Sequence, residues 1–260
     1  QPNAMGGREV GGLSNLLAAH HDLADPAERE YVQQFWDSSP IAATPGRTAT
    51  EMFDALESGE MKAIWVICTN PAVSLPNLTR VQAGLEKAPF VVVQDVSRKS
   101  DTVAYADIVL PAAGWLEKQG RMTNSERRVS YLPKMVDAPG EALPDVEILC
   151  RFAKKMGFAD AFSYADESEI FREHCELTRG TAIDMAGLSH ERLQSEGSIQ
   201  WPCPTPGHPG TQRLFEDGNF ATPTHKARVF CVSEEAKIGA TTDRLPLVLT
   251  TGRSRDQWQR

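Results

Sequence analysis

Polar side chains follow three apolar runs of this chain, at positions where strands of a sheet would end. Asn70 follows the run at 63–68, Asp95 follows the run at 90–93, and Lys118 comes soon after ADIVLPAA. Open α/β sheets bind ligands beyond the carboxyl ends of their strands, so we expect the three side chains at one edge. A carboxylate accepts hydrogen bonds from ribose hydroxyls or a guanine edge, and an ammonium binds phosphate. The pattern therefore predicts a nucleotide site.

Each of these residues also has an ordinary structural interpretation. Asn70 precedes a proline and suits the start of a turn, while Asp95 suits the cap of a loop. A single lysine such as Lys118 is usually solvated. Asp145 stands before an apolar helical stretch, where a carboxylate interacts favourably with the helix dipole. From these patterns alone, both interpretations stay open.

A second candidate site is Arg8, in the glycine-rich stretch GGREVGG. Glycines allow close approach of the backbone to a ligand, and a guanidinium offers a planar fork to an oxyanion. Glu9 either orients Arg8 or neutralises it. The alternative to an anion site is a flexible linker that carries an ion pair.

The common catalytic and nucleotide motifs are absent from the sequence. It contains no GxGxxG, GxSxG or HExxH, and the P-loop spacing of Gly6 and Gly11 is followed by Gly12 instead of lysine. Dehydrogenases of the NAD type, P-loop ATPases and the simplest hydrolases are therefore disfavoured. Adjacent His20 and His21 have no third ligand nearby and are interpreted as structural rather than metal-binding.

The periodicity of the sequence predicts an α/β protein with a parallel sheet. The apolar runs at 63–68 and 90–93 flank a helical stretch at 78–87, which makes a β-α-β unit. ADIVLPAA predicts a third strand, and GRMTNSERRVSYL an extended excursion. Further helices are expected at 26–37, 48–59 and 145–158. The stretch from 197 to 224 is rich in proline and glycine and predicts an irregular connection.

Composition favours a small-molecule partner. A net charge of −8 with scattered basic residues argues against nucleic acid and anionic membranes as partners. No apolar run reaches the roughly 20 residues of a membrane span. Five cysteines without CxxC spacing argue against a disulfide framework and against a zinc or iron–sulfur site here. A reducing compartment, the cytoplasm, is the simplest interpretation.

Longer motifs carry a family resemblance. QPNAMGGREVGG, CTNPAVSLPN, ADIVLPAAGWLEKQGRMTNSERRVS, APGEALPDVEI, IQWPCP and LTTGRSRDQW occur in this order. The chain thereby resembles molybdopterin-dependent oxidoreductases of the dimethyl-sulfoxide-reductase type, and within them most of all the assimilatory nitrate reductases. The resemblance covers the chain from its first residue to its last.

The resemblance implies an internal piece of a longer enzyme with an iron–sulfur domain, two dinucleotide-binding α/β domains and a β-barrel. Residues 1–47 would end the preceding α/β domain and carry an active-site loop. Residues 48–196 would form a Rossmann-like domain, 197–243 an irregular linker, and 244–260 the first strand and turn of the C-terminal barrel. The implied cofactors are a molybdenum bis(molybdopterin guanine dinucleotide) and a [4Fe-4S] cluster whose ligands lie outside these residues, and no metal ligand is expected here.

The resemblance also assigns roles residue by residue. Arg8 would line the molybdenum pocket as a catalytic residue. The remaining matched residues would bind the cofactor: Asn70, Gln94, Asp95, Lys118, Asp145, Thr251, Gly252 and Arg253. The implied reaction reduces nitrate to nitrite, with electrons from a donor protein or domain. A periplasmic nitrate reductase, a formate dehydrogenase and a non-catalytic nucleotide-binding module are the alternatives.

Overall fold

The computed structural model describes residues 3–220, 222–231, 241–244 and 246–248. Residues 3–211 form one compact unit, and the described residues from 212 onward belong to a second. The strands and helices below all lie in the first unit. The predicted turn of Thr251, Gly252 and Arg253 lies outside the described residues.

The central element is a parallel sheet of three strands in the order β1-β2-β3. The strands are β1 at Ala63–Ile67, β2 at Phe90–Asp95 and β3 at Ile108–Pro111. All pairings are parallel, which confirms the predicted β-α-β unit and the third strand. The continuous apolar runs reflect burial on both faces, since Val66, Val91 and Val93 are at most 5% exposed.

The described residues contain eight α-helices. In chain order these are α1 (Ala4–Glu9), α2 (Pro26–Phe35), α3 (Ala49–Ser58), α4 (Pro71–Ser74), α5 (Leu78–Lys87), α6 (Asp145–Lys155), α7 (Glu167–Leu177) and α8 (His190–Glu196). Short 3-10 turns lie at Ala18–His20 and Asp101–Tyr105. In this part of the chain, each helix is too short or too polar to cross a bilayer.

Helices α3 and α5 pack against each other and close one face of the sheet. The Thr48 backbone N–H donates to the Glu51 carboxylate at 2.7 Å, and Gly59 ends α3 in the left-handed conformation. A Cβ on Gly84 of α5 would lie 2.8 Å from the Phe53 carbonyl oxygen, so only glycine allows this approach. The core between helices and sheet consists of Phe53, Leu56, Val66, Ala72, Val81, Leu85, Val91 and Val93.

A second sheet, β4-β5-β6, is antiparallel. Its strands are β4 (Gly120–Thr123), β5 (Arg128–Leu132) and β6 (Ile199–Gln200). The hairpin β4-β5 is the predicted extended excursion. Strand β6 lies where we expected an irregular connection, because buried Ile199 pairs with buried Val129 from a distant part of the chain.

The glycine-rich start of the chain is not a flexible linker, which was the alternative to an anion site in this stretch. Residues Ala4–Glu9 form α1, and the glycines allow close packing of the chain on itself. A Cβ on Gly11, which has φ +75°, would lie 2.6 Å from the Ala18 nitrogen. A Cβ on Gly12 would lie 2.6 Å from the Gly7 carbonyl oxygen. Glycine is needed here for tight contact within the chain.

Candidate functional site

Four side chains meet at the carboxyl edge of the parallel sheet, around the Asp145 carboxylate. Gln94, in β2, donates from Nε2 to Asp145 at 2.7 Å, and the Cys68 thiol, just after β1, donates at 3.2 Å. The Lys118 ammonium donates to the other carboxylate oxygen. Asp145 itself is the first residue of α6. The structure thus brings together three of the residues selected from the sequence, and adds Cys68.

Three donors hold Asp145 in its charged form. Burial alone opposes ionisation, but the hydrogen bonds from Lys118, Gln94 and Cys68 and the charge of Lys118 outweigh it and lower the carboxyl pKa. Burial raises the pKa of the Cys68 thiol to about 11, and the bond to Asp145 adds to this effect. At neutral pH the Cys68 thiol is therefore a hydrogen-bond donor and not a nucleophile.

Gln94 has unused hydrogen-bonding capacity. Its side chain is fully buried, yet Oε1 has no partner within the described part of the chain. A buried amide oxygen without a donor costs free energy, and such atoms usually indicate a missing partner. Among the described residues, this buried oxygen beside Asp145 therefore lacks a hydrogen-bond donor.

Asn70 is engaged elsewhere. Its Nδ2 donates to Asp101 at 3.0 Å, and its Oδ1 accepts from the Thr102 backbone at 3.1 Å and the Thr102 hydroxyl at 2.6 Å. The Thr102 hydroxyl in turn accepts from the Ala72 N–H at 3.2 Å. Asn70 thus links the carboxyl end of β1 by hydrogen bonds to the 3-10 turn at Asp101–Tyr105. Sequence reasoning missed Asp101 and Thr102, whose residue types are common in turns.

Two adjoining cavities run along this edge. One, of about 290 Å³, is lined by Asp95 and Arg98 among others; its neighbour, of about 510 Å³, is lined by Lys118 and Lys134 among others. Glu117 and Ala142 line both. One carboxylate oxygen of Asp95 accepts from the Ser97 N–H at 2.9 Å. The edge thus offers a groove of mixed charge, in which Lys118 and Lys134 of the larger cavity lie among carboxylates and Lys134 is paired with Asp137.

Arg8 lies apart from these side chains, on α1. This helix packs against β4 of the antiparallel sheet and the turn at Ala18–His20. Arg8 is exposed, whereas the neighbouring Glu9 is buried and accepts hydrogen bonds from Thr123 at 2.8 Å and from the Trp201 indole. Within the described residues Glu9 forms no ion pair with Arg8, so the idea that it neutralises Arg8 is not supported.

The described residues contain no group of three or more His, Cys, Asp or Glu side chains arranged to hold a metal ion. All five cysteines are free. What the edge can do chemically is bind a polar ligand, with carboxylate acceptors at Asp95 and Asp145 and cations at Lys118 and Lys134.

Comparison with known proteins gives this groove a context. A family model described as molybdopterin oxidoreductase matches residues 3–155. The nitrate reductase of Synechocystis sp. is 41% identical over 265 residues, which cover 99% of this chain and 37% of the relative. The assimilatory nitrate reductase catalytic subunit of Bacillus subtilis is 38% identical over 259 residues, with 97% and 36% covered. The chain spans little more than a third of the length of these relatives.

A solved structure agrees with the fold. Acetylene hydratase from Pelobacter acetylenicus superposes with a TM-score of 0.53 at 20% identity, covering 85% of this chain and 28% of that one. At this identity the similarity shows the fold alone. The sequence matches confirm the resemblance drawn from the motifs.

Proposed function

Because this chain belongs to the molybdopterin oxidoreductase family, we propose that it is the dinucleotide-binding segment of a longer nitrate reductase. The similarity to nitrate reductases over nearly the whole chain supports this substrate, and the share of their length that it spans supports a longer parent protein. The chain would contribute part of the cofactor site and one arginine of the substrate pocket.

The groove at the sheet edge fits a guanine dinucleotide. Asp95, which lines the smaller cavity, and Asp145, whose side chain is 23% exposed, are acceptors for guanine N–H groups or ribose hydroxyls. Lys118 and Lys134, which line the larger cavity, would bind the phosphates. Lys118 is paired with Asp145, so a phosphate would share this ammonium with the carboxylate.

When bound, the molybdenum cofactor supplies the two-electron chemistry that takes one oxygen from nitrate, with two protons, to give nitrite and water. A [4Fe-4S] cluster held by other parts of the parent protein would deliver the electrons from a donor protein or domain. Arg8 would attract nitrate and orient it through the paired donors of the guanidinium. Thr251, Gly252 and Arg253 would meet the pterin. We also propose a cytoplasmic location, in keeping with five free cysteines.

The observation that carries this proposal is the convergence of Gln94, Lys118 and Asp145 beside the two adjoining cavities, in a chain of this family. If this cluster served only to pack α6 against the sheet, it would still leave Oε1 of Gln94 buried without a partner among the described residues. An unpaired buried oxygen costs free energy, which favours a binding role for the cluster.

The test uses the complete enzyme and its Asp145→Ala variant. Loss of hydrogen bonds to a charged group costs about 1.5–3 kcal/mol, so we expect cofactor affinity to fall about tenfold or more. Molybdenum and guanine nucleotide are measured per chain, with Asp54→Ala as control, since Asp54 pairs with Arg80 on the exposed side of α3. Normal cofactor content in Asp145→Ala contradicts the site. Formate oxidation without nitrate reduction by the wild-type enzyme contradicts the substrate.

A further inference from the structure

Arg8 and Glu9 are neighbours on α1 but point in different directions. Successive residues of an α-helix are about 100° apart around its axis. Arg8 is exposed, while Glu9 is 3% exposed. Within α1, which the structure describes in full, Glu9 is the buried residue. A helix of six residues is too short to be stable by itself, so its orientation depends on such anchors.

Both ends of α1 are tied to one residue of β4. The Glu9 carboxylate accepts a hydrogen bond from the Thr123 hydroxyl at 2.8 Å, and the Asn3 side chain, just before α1, accepts one from the Thr123 N–H at 2.9 Å. The second carboxylate oxygen of Glu9 accepts from the Trp201 indole. Thr123 and Trp201 are themselves buried, at 3% and 4% exposed. These bonds fix the rotation of α1 about its own axis.

The turn that packs against α1 also contacts Trp201. The His20 ring meets the Trp201 ring edge-on, with centroids 6.1 Å apart. Burial, and after it the positive charge of Arg8, lower the pKa of His20. Helix α1 packs against the turn that carries His20, and the His20 ring contacts the partner of Glu9, so a shift of Trp201 or of α1 would move the guanidinium relative to its surroundings.

The anchor of Glu9 also connects to the cofactor groove. Thr123 is the last residue of β4, and Lys118 stands two positions before its first residue, Gly120. The same short strand thus begins beside the Asp145 cluster and ends at the carboxylate that holds α1. Strand β4 thus connects the groove, through Lys118 just before it, to the helix that carries Arg8, through Thr123 at its end.

We propose that Glu9 is a positioning residue for Arg8, which holds the guanidinium where an oxyanion bound beside the cofactor meets it. The proposal rests on the proposed role of Arg8. Glu9 does not contact the substrate, and it acts through its hydrogen bonds to Thr123 and Trp201. A misplacement of about 1 Å can reduce catalysis about a hundredfold, so such an anchor has a measurable effect.

The first test is steady-state nitrate reduction by the complete enzyme carrying Glu9→Ala or Glu9→Gln. We expect kcat/KM for nitrate to fall about tenfold or more in Glu9→Ala. Glu9→Gln should retain activity within about threefold, because glutamine can accept from Trp201 and donate to the Thr123 oxygen. A loss in Glu9→Gln as large as that in Glu9→Ala overturns a positioning role, since it would mean that the charge itself is required.

The second test is a double-mutant cycle with Arg8→Ala. If Glu9 acts through Arg8, then Glu9→Ala causes no further loss of kcat/KM when Arg8 is already alanine. Calorimetric titration of the oxidised enzyme with nitrate, which is not turned over without electrons, should show the same non-additivity in Kd. Multiplicative losses in the double variant overturn the proposal.

Two further variants keep the test valid if Glu9→Ala does not fold. Thr123→Val removes one donor to Glu9 and preserves the shape of the side chain, whereas Trp201→Phe removes the other donor and keeps an aromatic ring of smaller volume. Both should raise the Kd for nitrate at normal molybdenum content. Thr178→Val is the matched control, because the buried Thr178 hydroxyl bonds Cys175 and Met185 instead. Nitrate binding as in the wild type in both Trp201→Phe and Thr123→Val overturns the positioning role.

The outcomes for the two roles are distinguishable. If Arg8→Ala has wild-type kinetics, the role of Arg8 in the proposed function is contradicted. The positioning role of Glu9, which depends on it, is then contradicted as well. A strong effect of Arg8→Ala combined with no effect of Glu9→Ala contradicts the positioning role alone.

Discussion

Gln94 donates a hydrogen bond to Asp145 at 2.7 Å, although 51 positions separate them in the sequence. One residue lies within a buried strand and the other begins a helix, so the bond links the sheet to α6. The amide is matched to its partner: Nε2 is a donor to the carboxylate, while Oε1 keeps its capacity to accept.

This relationship predicts that Gln94→Glu destabilises the chain far more than Gln94→Met. A second carboxylate against Asp145 places two like charges in a buried site, which we expect to lower the free energy of unfolding by about 2–3 kcal/mol or more at pH 8. Gln94→Met preserves volume and loses one hydrogen bond, for which about 1 kcal/mol is expected. Urea denaturation of both variants measures the difference, and equal stabilities would show that the Asp145 contact has little influence.

The Cys68 thiol should react slowly with alkylating reagents. With a pKa of about 11, raised from 9.0, its thiolate at pH 8 is roughly a hundredfold scarcer than that of an ordinary cysteine. Iodoacetamide labelling followed by mass spectrometry gives the rate, with Cys231 of the same chain as internal reference, since both cysteines are exposed. Asp145→Asn removes the neighbouring negative charge and should accelerate labelling of Cys68. Rapid labelling of Cys68 in the wild type would contradict the raised pKa and the hydrogen bond to Asp145.

His174 should make the stability of the chain fall in mild acid. Burial, and then the charge of His20, lower the pKa of His174 from 6.5 to about 4. Its contribution to stability is therefore fully present above pH 6.5 and is lost as the pH falls towards 4, because unfolding allows the ring to bind a proton. The loss amounts to about 3 kcal/mol at most.

The check is the difference between wild type and His174→Gln in denaturant unfolding from pH 7.5 to pH 4. The wild type should lose more stability than the variant across this interval. Parallel pH profiles would mean that His174 is protonated as readily in the folded as in the unfolded chain.

Arg8→Lys in the complete enzyme should lower kcat/KM for nitrate while cofactor content is unchanged. Lysine keeps the charge but loses the planar fork that engages an oxyanion through paired hydrogen bonds. Arg8→Ala should be worse, by about 2 kcal/mol in kcat/KM. A surface arginine without this role would give less than about 1 kcal/mol for either change. Steady-state kinetics normalised to molybdenum content separate the two cases.

Local sequence patterns predicted the parallel sheet well, and for a clear reason. A strand buried on both faces needs continuous apolar residues, and such runs are visible in any short window, as at Val91 and Val93. The strand ends then place polar residues at one edge, which brought Lys118 to the expected place. The family resemblance singled out Gln94, Lys118 and Asp145 one by one, and the structure shows that Gln94 and Lys118 both contact Asp145.

Other features depend on contacts that no local pattern reveals. GGREVGG contains four glycines and suggests a loop, yet α1 forms because Glu9 is held by Thr123, 114 positions away, and by Trp201, 192 positions away. Cys68 was overlooked because a cysteine at the end of an apolar run looks like another core residue. Its bond to Asp145 spans 77 positions.

Strand β4 has a consequence for how this chain can change in evolution. Side chains alternate between the two faces of a strand, so inserting or deleting one residue between Lys118 and Thr123 would turn the Thr123 hydroxyl away from Glu9 or move Lys118 off the groove. Point substitutions there are far less disruptive than a change of length. Among homologous sequences, length variation should be excluded from the six positions between the groove and the helix of Arg8.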